Sequence, residues 1–298
     1  MSLDLSGLTV ILVTHNSGSI LVQVLPLLQS LPNVIAVDNG SNDDTVTVLS
    51  AQLPTAKLIT NARNAGFGRA NNQALEHVRT PFALLLNPDC RMQRRDLEAL
   101  LIATERYPDA ALFSPKLYDA PGRLGQCYRS AFYKPQPKNN PDPAGDLCSD
   151  FLSGAALMLR MEVMRKVGFF DPWFFLYMED DDLCERTRRA GHSLVMVADA
   201  AAFHQARSSS RPSFQLSFRR DYCLTLSKFY IHRKYFGALS ASLTWLRVLL
   251  GSALTLPVHA LSFNKARLTR TLARLGAVVF APMELTARRC LDRSPFIR

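Results

Sequence analysis

Apolar and polar positions alternate along the first 120 residues with two different periods. Short continuous apolar runs predict buried β-strands, and between them apolar residues recur every three to four positions, as in amphipathic helices. The predicted strands are residues 8–14, 34–37, 57–60, 82–86 and 111–115, and the predicted helices are residues 20–31, 68–78 and 95–107, with one more beginning near residue 43. This alternation predicts an α/β fold with a parallel sheet covered by helices on both faces.

Residues 119–148 interrupt this pattern with five prolines among polar residues, which predicts a long loop. After this loop the periodicity resumes and predicts a strand at 151–159, helices at 160–167 and 183–190, and a strand from 194 towards His204. The α/β pattern therefore extends to about residue 204.

Beyond residue 213 the periodicity is helical. Residues 248–264 are uncharged over nearly the length of a membrane-spanning helix, which needs about 20 apolar residues. Pro257, His259 and three hydroxyl side chains in this segment favour a buried or interfacial helix over a spanning one.

The net charge of +10 is distributed unevenly. Residues 207–298 contain 16 Lys and Arg against 3 Asp and Glu, whereas the first 206 residues have a net charge of −3. Such a basic region is typical of a polyanion partner, which is either nucleic acid or an anionic membrane surface. Its arginines alternate with long aliphatic runs, as in helices that lie on membranes. We expect an anionic membrane surface and no nucleic acid, with a nucleic-acid-binding protein as the alternative.

These patterns predict two domains. Residues 1–212 form the α/β domain, and residues 213–298 form a basic, mostly helical region that contacts a membrane surface. The chain start lacks the basic residues and cleavage site of a signal peptide, and the six cysteines are too widely spaced for paired metal-binding motifs. We therefore expect a cytoplasmic protein, peripheral to the inner face of the cell membrane.

Polar side chains follow three of the predicted strands, at the end where each strand stops. These clusters are Thr14-His15-Asn16, Asp38-Asn39-Gly40-Ser41 and Asn87-Pro88-Asp89. Ligands of open parallel sheets bind at the carboxyl ends of the strands, and a carboxylate there can hold a divalent cation that carries phosphate oxygens. Each cluster alone is also typical of a simple turn. Three of them at one sheet edge indicate a binding site.

Four consecutive acidic residues, Glu179-Asp180-Asp181-Asp182, follow an aromatic and apolar segment at 173–178 and precede the predicted helix at 183–190. Adjacent carboxylates repel one another and require a cation, a metal or a helix N-terminus as a partner. Beside a hydrophobic wall, a carboxylate can act as a general base. A solvated acidic cap of the helix is the alternative.

Two further residues are candidates. Arg63 lies in a glycine-containing loop and can meet a diphosphate or a base, with a surface cation as the alternative, and His204 at a strand exit can bind a metal or a phosphate. The chain has no G-x-G-x-x-G fingerprint, Walker A motif or G-x-S-x-G elbow. Their absence disfavours a dinucleotide-dependent reductase.

In order and spacing, six segments resemble the family-2 glycosyltransferases with the GT-A fold, and among them the bacterial rhamnosyltransferase-like branch. They are residues 10–17, 37–43, 63–72, 84–89, 151–155 and 168–191, followed by His204. The resemblance covers residues 8 to about 236 and fades after Gly237. It implies a GT-A catalytic domain, with a mixed, mostly parallel sheet and helices on both faces, and a helical C-terminal appendage.

The resemblance also implies an activity. It is the inverting transfer of a sugar from a nucleoside-diphosphate donor to a hydroxyl of a lipid-linked or polysaccharide acceptor. Among donors it favours dTDP-rhamnose, with UDP- and GDP-sugars as alternatives. A catalytically inactive nucleotide-sugar-binding homologue is the alternative to an enzyme.

The same resemblance assigns expected roles to single residues. Those expected to bind the nucleotide sugar are Thr14, Asn16, Asp38, Arg63, Asn71 and Asn87. Asp89 and His204 are expected to hold Mg²⁺ or Mn²⁺, although Asn87-Pro88-Asp89 has one carboxylate where the family's metal motif has two. Asp180 is the expected base and Asp182 the second choice.

Overall fold

The structure is a computed structural model of the chain, and it describes residues 3–136, 141–204, 213–262 and 264–286, the last four of these without side chains. The chain divides into two compact units. The described residues of the first are those up to Phe170 and those from Asp180 to His204, and the second combines Asp171–Glu179 with the C-terminal helices. The aromatic segment 171–179 thus lies in the second unit, whereas the predicted boundary at residue 212 assigned it to the first.

Four parallel strands form the N-terminal part of the main sheet in the first unit. They are β1 (Leu8–Thr14), β2 (Val34–Asp38), β3 (Lys57–Thr60) and β4 (Phe82–Leu86), in the spatial order β3-β2-β1-β4. Thr14 pairs with Asp38, so β1 and β2 end side by side. The strands β1, β2 and β4 are almost entirely buried, as expected for parallel strands covered on both faces.

The remaining strands are shorter on average and include antiparallel pairs. They are β5 (Cys90–Met92), β6 (Ala110–Ala120), β7 (Arg123–Leu124), β8 (Tyr128–Arg129), β9 (Leu147–Cys148), β10 (Phe151–Leu152), β11 (Ala156–Arg160) and β12 (Ser193–His204). The main sheet has the order β3-β2-β1-β4-β11-β6-β12-β5, with β7 on β6 and β9 on β12, while β8 and β10 form a separate two-stranded sheet. This mixed sheet confirms the predicted fold class.

The helices of the first unit connect these strands. They are a 3-10 helix at Gly18–Gln23, α1 (Leu25–Leu28), α2 (Thr45–Gln52), α3 (Phe67–Leu75), α4 (Arg94–Arg106), α5 (Met161–Val167) and α6 (Glu179–Arg189). The predicted helix at 20–31 is wrong in its continuity. Pro26 has no amide hydrogen and fits only the first turn of a helix, so α1 begins anew at Leu25.

Two further predictions are corrected in the middle of the chain. The predicted loop at 119–148 contains three short strands, β7, β8 and β9, and its residues 137–140 lie outside the described part. The predicted strand at 151–159 is interrupted between Leu152 and Ala156, where the chain changes from the small sheet to the main sheet. Short apolar runs do not reveal such an interruption, because both pieces keep the buried pattern.

The second unit contains the C-terminal helices. They are α7 (Phe214–Leu261), which Gly237 interrupts with a φ of 80°, and α8 (Lys265–Thr286). The Trp245 indole donates a hydrogen bond to the Val278 carbonyl at 2.9 Å, and His259 lies 2.9 Å from the Thr271 hydroxyl. These contacts join the C-terminal half of α7 to α8 as a helical hairpin. Residues 287–298 of the predicted second domain lie outside the described part.

Asp96 provides a test of how the first unit is held together. Its carboxylate accepts hydrogen bonds from the backbone amides of Gln93 at 2.7 Å and Ala201 at 3.1 Å, and so joins the start of α4 to an irregularity in β12. We expect Asp96→Ala to lower the free energy of unfolding by about 2–3 kcal/mol, because two backbone amides lose the buried carboxylate that accepts their hydrogen bonds. Urea denaturation measures this change.

Glu98→Ala is the matched control for Asp96→Ala. Glu98 lies on the same helix and makes a partly exposed ion pair with Arg94 at 3.0 Å. A loss of less than about 0.5 kcal/mol is expected for such a pair. Equal losses in the two variants would show that Asp96 has no special role.

Candidate functional site

Asp38 ends β2 in a pocket of hydrogen-bond donors. The Thr14 hydroxyl lies 3.3 Å from Asp38 Oδ1, and the Ser41 amide donates to Oδ2 at 3.0 Å. The Ser41 hydroxyl donates to Oδ1 as well. The Asp38 residue is only 2% exposed, so these donors replace the water that a carboxylate would otherwise bind. Thr14 and Asp38, predicted from two different strand ends, therefore lie together.

Asn16 joins the loop after β1 to the loop after β2. The backbone amide of Asn16 donates to the Ser41 hydroxyl at 2.8 Å. The side-chain oxygen of Asn16 accepts from the Asn42 backbone amide at 2.8 Å. Asn16 has a φ of 51°, a left-handed conformation that asparagine tolerates better than most residues. The structure thus places Asn16 next to the Asp38 loop.

Asn39 joins the loop after β2 to the loop that carries Arg63. Its side-chain oxygen accepts from Asn61 and from the Ala65 amide, and its nitrogen donates to the Asn64 side chain at 3.0 Å. Gly40 is required beside it, because a Cβ there would lie 2.7 Å from the Arg63 carbonyl carbon. Sequence reasoning did not identify this role of Asn39, for which the nearby Asn61 and Asn64 were the available signal.

Two residues predicted to bind the nucleotide, Arg63 and Asn71, lie in or shortly after the loop that follows β3. Arg63 is exposed, and its backbone lies against Gly40. Asn71 is buried on α3, where its side chain donates to the Phe67 carbonyl at 3.0 Å. That bond stabilises α3 itself, and the contribution of Asn71 to a nucleotide pocket stays a prediction.

Asp89 and His204 lie together at the end of β4. The backbone of Cys90 pairs with that of His204 across β5 and β12, which places His204 Nε2 at 3.3 Å from Asp89 Oδ1. The Asp89 side chain is 9% exposed and that of His204 is 23% exposed. The structure thus brings together the two residues predicted to bind a metal, although they are 115 positions apart in the sequence.

These two side chains fit a metal that is shared with a substrate. In the described part of the chain, no group of three or more His, Cys, Asp and Glu side chains is arranged so that it could hold a metal ion by itself. A site of one carboxylate and one imidazole leaves most coordination positions open. Mg²⁺ is commonly held in this way, by one or two protein groups together with substrate phosphates and water. The donor set therefore suits a diphosphate-bound cation better than a closed structural metal site.

The acidic run forms the first turn of α6. The sequence predicts that the acidic run precedes a helix starting near residue 183, but the helix begins at Glu179. Tyr177 and Met178, directly before it, have left-handed φ values of 70° and 68°. Carboxylates in a first turn are stabilised by the helix dipole, which explains why the helix includes them.

The three aspartates of this turn have different partners. Asp182 accepts from Arg186 at 2.8 Å, and Arg186 also donates to the carbonyl groups of residues 167–169. Asp181 accepts from Arg129 at 2.6 Å. The Asp182 carboxylate therefore orients a structural arginine, and its role as second choice for the base stays a prediction.

Asp180 differs from its neighbours in access and in partners. It is partly exposed, whereas Asp181 and Asp182 are buried. The Gly154 amide lies 3.3 Å from its Oδ2 and the Asp181 amide 3.0 Å from its Oδ1. The surrounding protein displaces water and raises the pKa of Asp180. A reachable carboxylate with a raised pKa has the properties of a general base.

Asp181 has a pKa of about 7, because burial and then the charge of Asp180 oppose its ionisation, while Arg129 favours it. Asp180 and Asp181 therefore titrate as an interacting pair.

Backbone hydrogen bonds connect the acidic turn to the end of β4. The Asn87 amide donates to the Ala155 carbonyl at 2.9 Å, and the preceding residue, Gly154, donates to Asp180. A Cβ on Gly154 would lie 3.4 Å from the Phe67 ring, so a larger residue has little room there. One short connection thus holds both the Asn87-Pro88-Asp89 turn and Asp180.

The helical hairpin of the second unit has an exposed apolar surface, here termed the leucine face. Its residues are spaced by three or four positions along the C-terminal half of α7: Leu239, Leu243, Leu246, Leu250, Leu254, Val258 and Leu261. Their exposed fractions range from 43% to 78%. Residues 238–282 contain five Lys and Arg and no Asp or Glu. The hairpin therefore combines an exposed aliphatic stripe with positive charge.

By length and composition, α7 is the one described helix that could cross a membrane. This property alone is weak evidence for spanning. Only 11% of its most apolar window is buried within the structure, so the buried alternative from the sequence analysis does not describe this segment.

Comparisons with known proteins identify the family of this chain. A model of glycosyl transferase family 2 matches residues 9–168. The N-acetylglucosaminyl-diphospho-decaprenol L-rhamnosyltransferase of Mycobacterium tuberculosis is 28% identical over 247 residues, which cover 68% of this chain and 78% of that protein. Rhamnosyltransferase WbbL of Escherichia coli is 29% identical over 174 residues, which cover 52% of this chain and 66% of that protein.

Among solved structures, mannosyltransferase PcManGT from Pyrobaculum calidifontis, in complex with GDP-Man and Mn²⁺, has a TM-score of 0.58 to this chain. It is 17% identical, and the match covers 92% of this chain and 86% of that one. At this identity the similarity concerns the fold alone, and it confirms the predicted GT-A fold. Because the family model matches more than half of the sequence, the chain belongs to glycosyl transferase family 2 and is a glycosyltransferase, similar to rhamnosyltransferases.

Proposed function

We propose that this glycosyltransferase moves a sugar, with rhamnose favoured, from a nucleoside-diphosphate donor to a hydroxyl of a lipid-linked saccharide or glycan. The transfer inverts the anomeric centre. The observation that carries this proposal is the hydrogen-bonded connection 154–155, which joins Asp180 to the turn that carries Asp89. A candidate base and a candidate diphosphate site are thereby held by adjacent residues.

The donor is assigned from these contacts and from the relatives. Asp38, held by Thr14 and Ser41, is proposed to contact the nucleobase, with Asn16, Arg63, Asn71 and Asn87 in the same pocket. The mycobacterial and E. coli relatives are named as rhamnosyltransferases, which favours dTDP-rhamnose over UDP- or GDP-sugars.

In the proposed reaction, Asp180 accepts the proton of the acceptor hydroxyl as its oxygen attacks the anomeric carbon. The bond from that carbon to the diphosphate oxygen breaks, and the nucleoside diphosphate leaves with the electron pair. Attack opposite the leaving group inverts the configuration. Asp89 and His204 would hold Mg²⁺ or Mn²⁺, which would supply positive charge to neutralise the diphosphate. The solved mannosyltransferase, whose complex contains Mn²⁺, supports this choice of cation.

The acceptor and location are assigned from the second unit and from a relative's name. The mycobacterial protein is named for an acceptor sugar attached through a diphosphate to decaprenol, a lipid. The leucine face, flanked by basic residues without nearby acids in the sequence, suits an anionic membrane surface. We propose that the protein lies on the cytoplasmic face of the cell membrane, with the hairpin in the interface.

The base assignment predicts the effect of Asp180→Asn. We expect kcat to fall at least about 100-fold, because the amide cannot accept the acceptor proton, while the affinity for the donor stays unchanged. Steady-state kinetics and calorimetric donor titration measure the two quantities. Asp119→Asn, which removes a carboxylate from a surface ion pair, is the control. Near-normal transfer by Asp180→Asn would exclude this residue as the base.

The metal assignment predicts that EDTA abolishes transfer and that added Mn²⁺ or Mg²⁺ restores it. We expect a nucleoside diphosphate to raise the melting temperature strongly only with the cation present, and to lose this effect in Asp89→Ala. Differential scanning fluorimetry with a panel of nucleotides compares these conditions and also identifies the base that the enzyme prefers. Full activity in EDTA would contradict the assignment.

The membrane assignment predicts that Leu250→Glu with Leu254→Glu weakens binding to phosphatidylglycerol vesicles about 100-fold or more. Each leucine that no longer inserts into the apolar interface reduces the free energy of membrane binding by about 1.5 kcal/mol. Vesicle co-sedimentation at two salt concentrations measures the binding. Ile102→Glu, at an exposed apolar position of α4, is the control. Unchanged binding of the double variant would show that the leucine face is not the contact surface.

A further inference from the structure

Arg129 is a charged residue next to the acidic turn to which the family resemblance assigned no role. It lies on β8, and its backbone pairs with that of Phe151 on β10. Its guanidinium carbon lies 3.8 Å from the centroid of the Phe151 ring, and Nη1 donates to the Ser130 carbonyl at 3.3 Å. The ring and the carbonyl restrict the planar group to one orientation. Its Nη2 then reaches Asp181 Oδ1 at 2.6 Å.

The small sheet that carries Arg129 also carries the partner of Asp180. The strand β10 continues into the connection whose Gly154 amide lies 3.3 Å from Asp180 Oδ2. One two-stranded sheet therefore supports both aspartates, through a side chain on β8 and through the backbone that follows β10. A displacement of this sheet would move both carboxylates together.

The charges around the two aspartates are unequal. The groups that face them from α6 are Asp182, which is paired with Arg186, and the buried thiol of Cys184, whose pKa burial raises so far that it is neutral. Glu179 shares the same turn. The connection after β10 provides the Gly154 amide, and α3 provides the Phe67 ring. Arg129 is the cation that acts on both Asp180 and Asp181.

We propose that Arg129 is a positioning residue for the transfer reaction, which holds Asp181 in place and favours the ionised form of the Asp180–Asp181 pair, in which Asp180 can accept a proton. This inference rests on the proposed function, because it assigns Asp180 as the base. Two adjacent carboxylates beside one cation carry a net charge of −1 when both are ionised. Without the cation, mutual repulsion and desolvation retain one proton on the pair at neutral pH.

The experiment compares Arg129→Gln and Arg129→Lys with the wild type in pH–rate profiles from pH 5 to 9. An opposite charge a few ångströms away lowers the pKa of a carboxylate by about 1–3 units. We expect Arg129→Gln to shift the acidic limb of the kcat profile to higher pH by at least about 1 pH unit. Activity is lost at neutral pH and recovers at high pH, since a higher pH is then needed to ionise the base. Donor affinity stays the same.

Arg129→Lys keeps the charge without the planar group, and we expect its acidic limb to lie between the other two. Arg123→Gln, which removes a surface arginine paired with Asp119, is the control for loss of one positive charge. An unchanged acidic limb in folded Arg129→Gln, or a pH-independent loss of kcat in both variants, overturns the proposal. Circular dichroism establishes folding, and Arg129→Lys provides the test where Arg129→Gln does not fold.

A second measurement separates this inference from the proposed function. ¹³C NMR of aspartate carboxyl groups, assigned with Asp180→Asn, follows the titration of Asp180 without any substrate. We expect its midpoint to rise by at least about 1 pH unit in Arg129→Gln. If the wild type transfers no sugar, the proposed function fails while this titration still reports on Arg129. An identical midpoint in the wild type and Arg129→Gln refutes the charge effect directly.

Discussion

The free-energy cost of burying carboxylates governs the arrangement of the first unit. Asp38, Asp89 and Asp181 are each at most 6% exposed, and an isolated charge at such positions would be expensive. Each carboxylate contacts a different polar partner. Hydroxyl and amide groups donate to Asp38, the His204 imidazole contacts Asp89, and the Arg129 guanidinium donates to Asp181. These partners are the groups that fix the geometry of the site, so stability and function depend on the same contacts.

The groups that donate to Asp38 lie at strand ends and in loops, and the pairing of the strands brings these loops into contact. Parallel pairing of β1 with β2 brings Thr14 opposite Asp38, and the Asn39 side chain then connects the next loop along the sheet. Because the loops bond to one another, the proposed nucleotide site needs little ordering when a donor binds. Less conformational entropy is lost on binding, which is how pre-organised sites gain affinity.

How far the sequence predicts this structure depends on the range of each interaction. Strands such as β1 and β4 were predictable because their buried pattern is continuous and local, and the same strands indicated where Asp38 and Asp89 lie. The family resemblance added His204 to Asp89, a pairing that no local pattern contains. Arg129 was not predicted, because it lies on a two-residue strand within a proline-rich segment and its partner is 52 positions away. The start of α6 was misplaced since four adjacent acids disfavour a helix unless the dipole and Arg129 compensate them.

The uneven charge of the chain has a physical consequence for the proposed reaction. A lipid-linked acceptor is confined to a membrane, so an enzyme held at that surface searches in two dimensions and meets it at a higher effective concentration. In the proposed membrane binding, the leucine face supplies affinity through apolar area, and the basic residues of the hairpin add an electrostatic contribution that depends on anionic lipid. The first 206 residues, with a net charge of −3, are weakly repelled by the same surface. In the proposed arrangement, this difference in charge favours attachment through the hairpin rather than through the first unit.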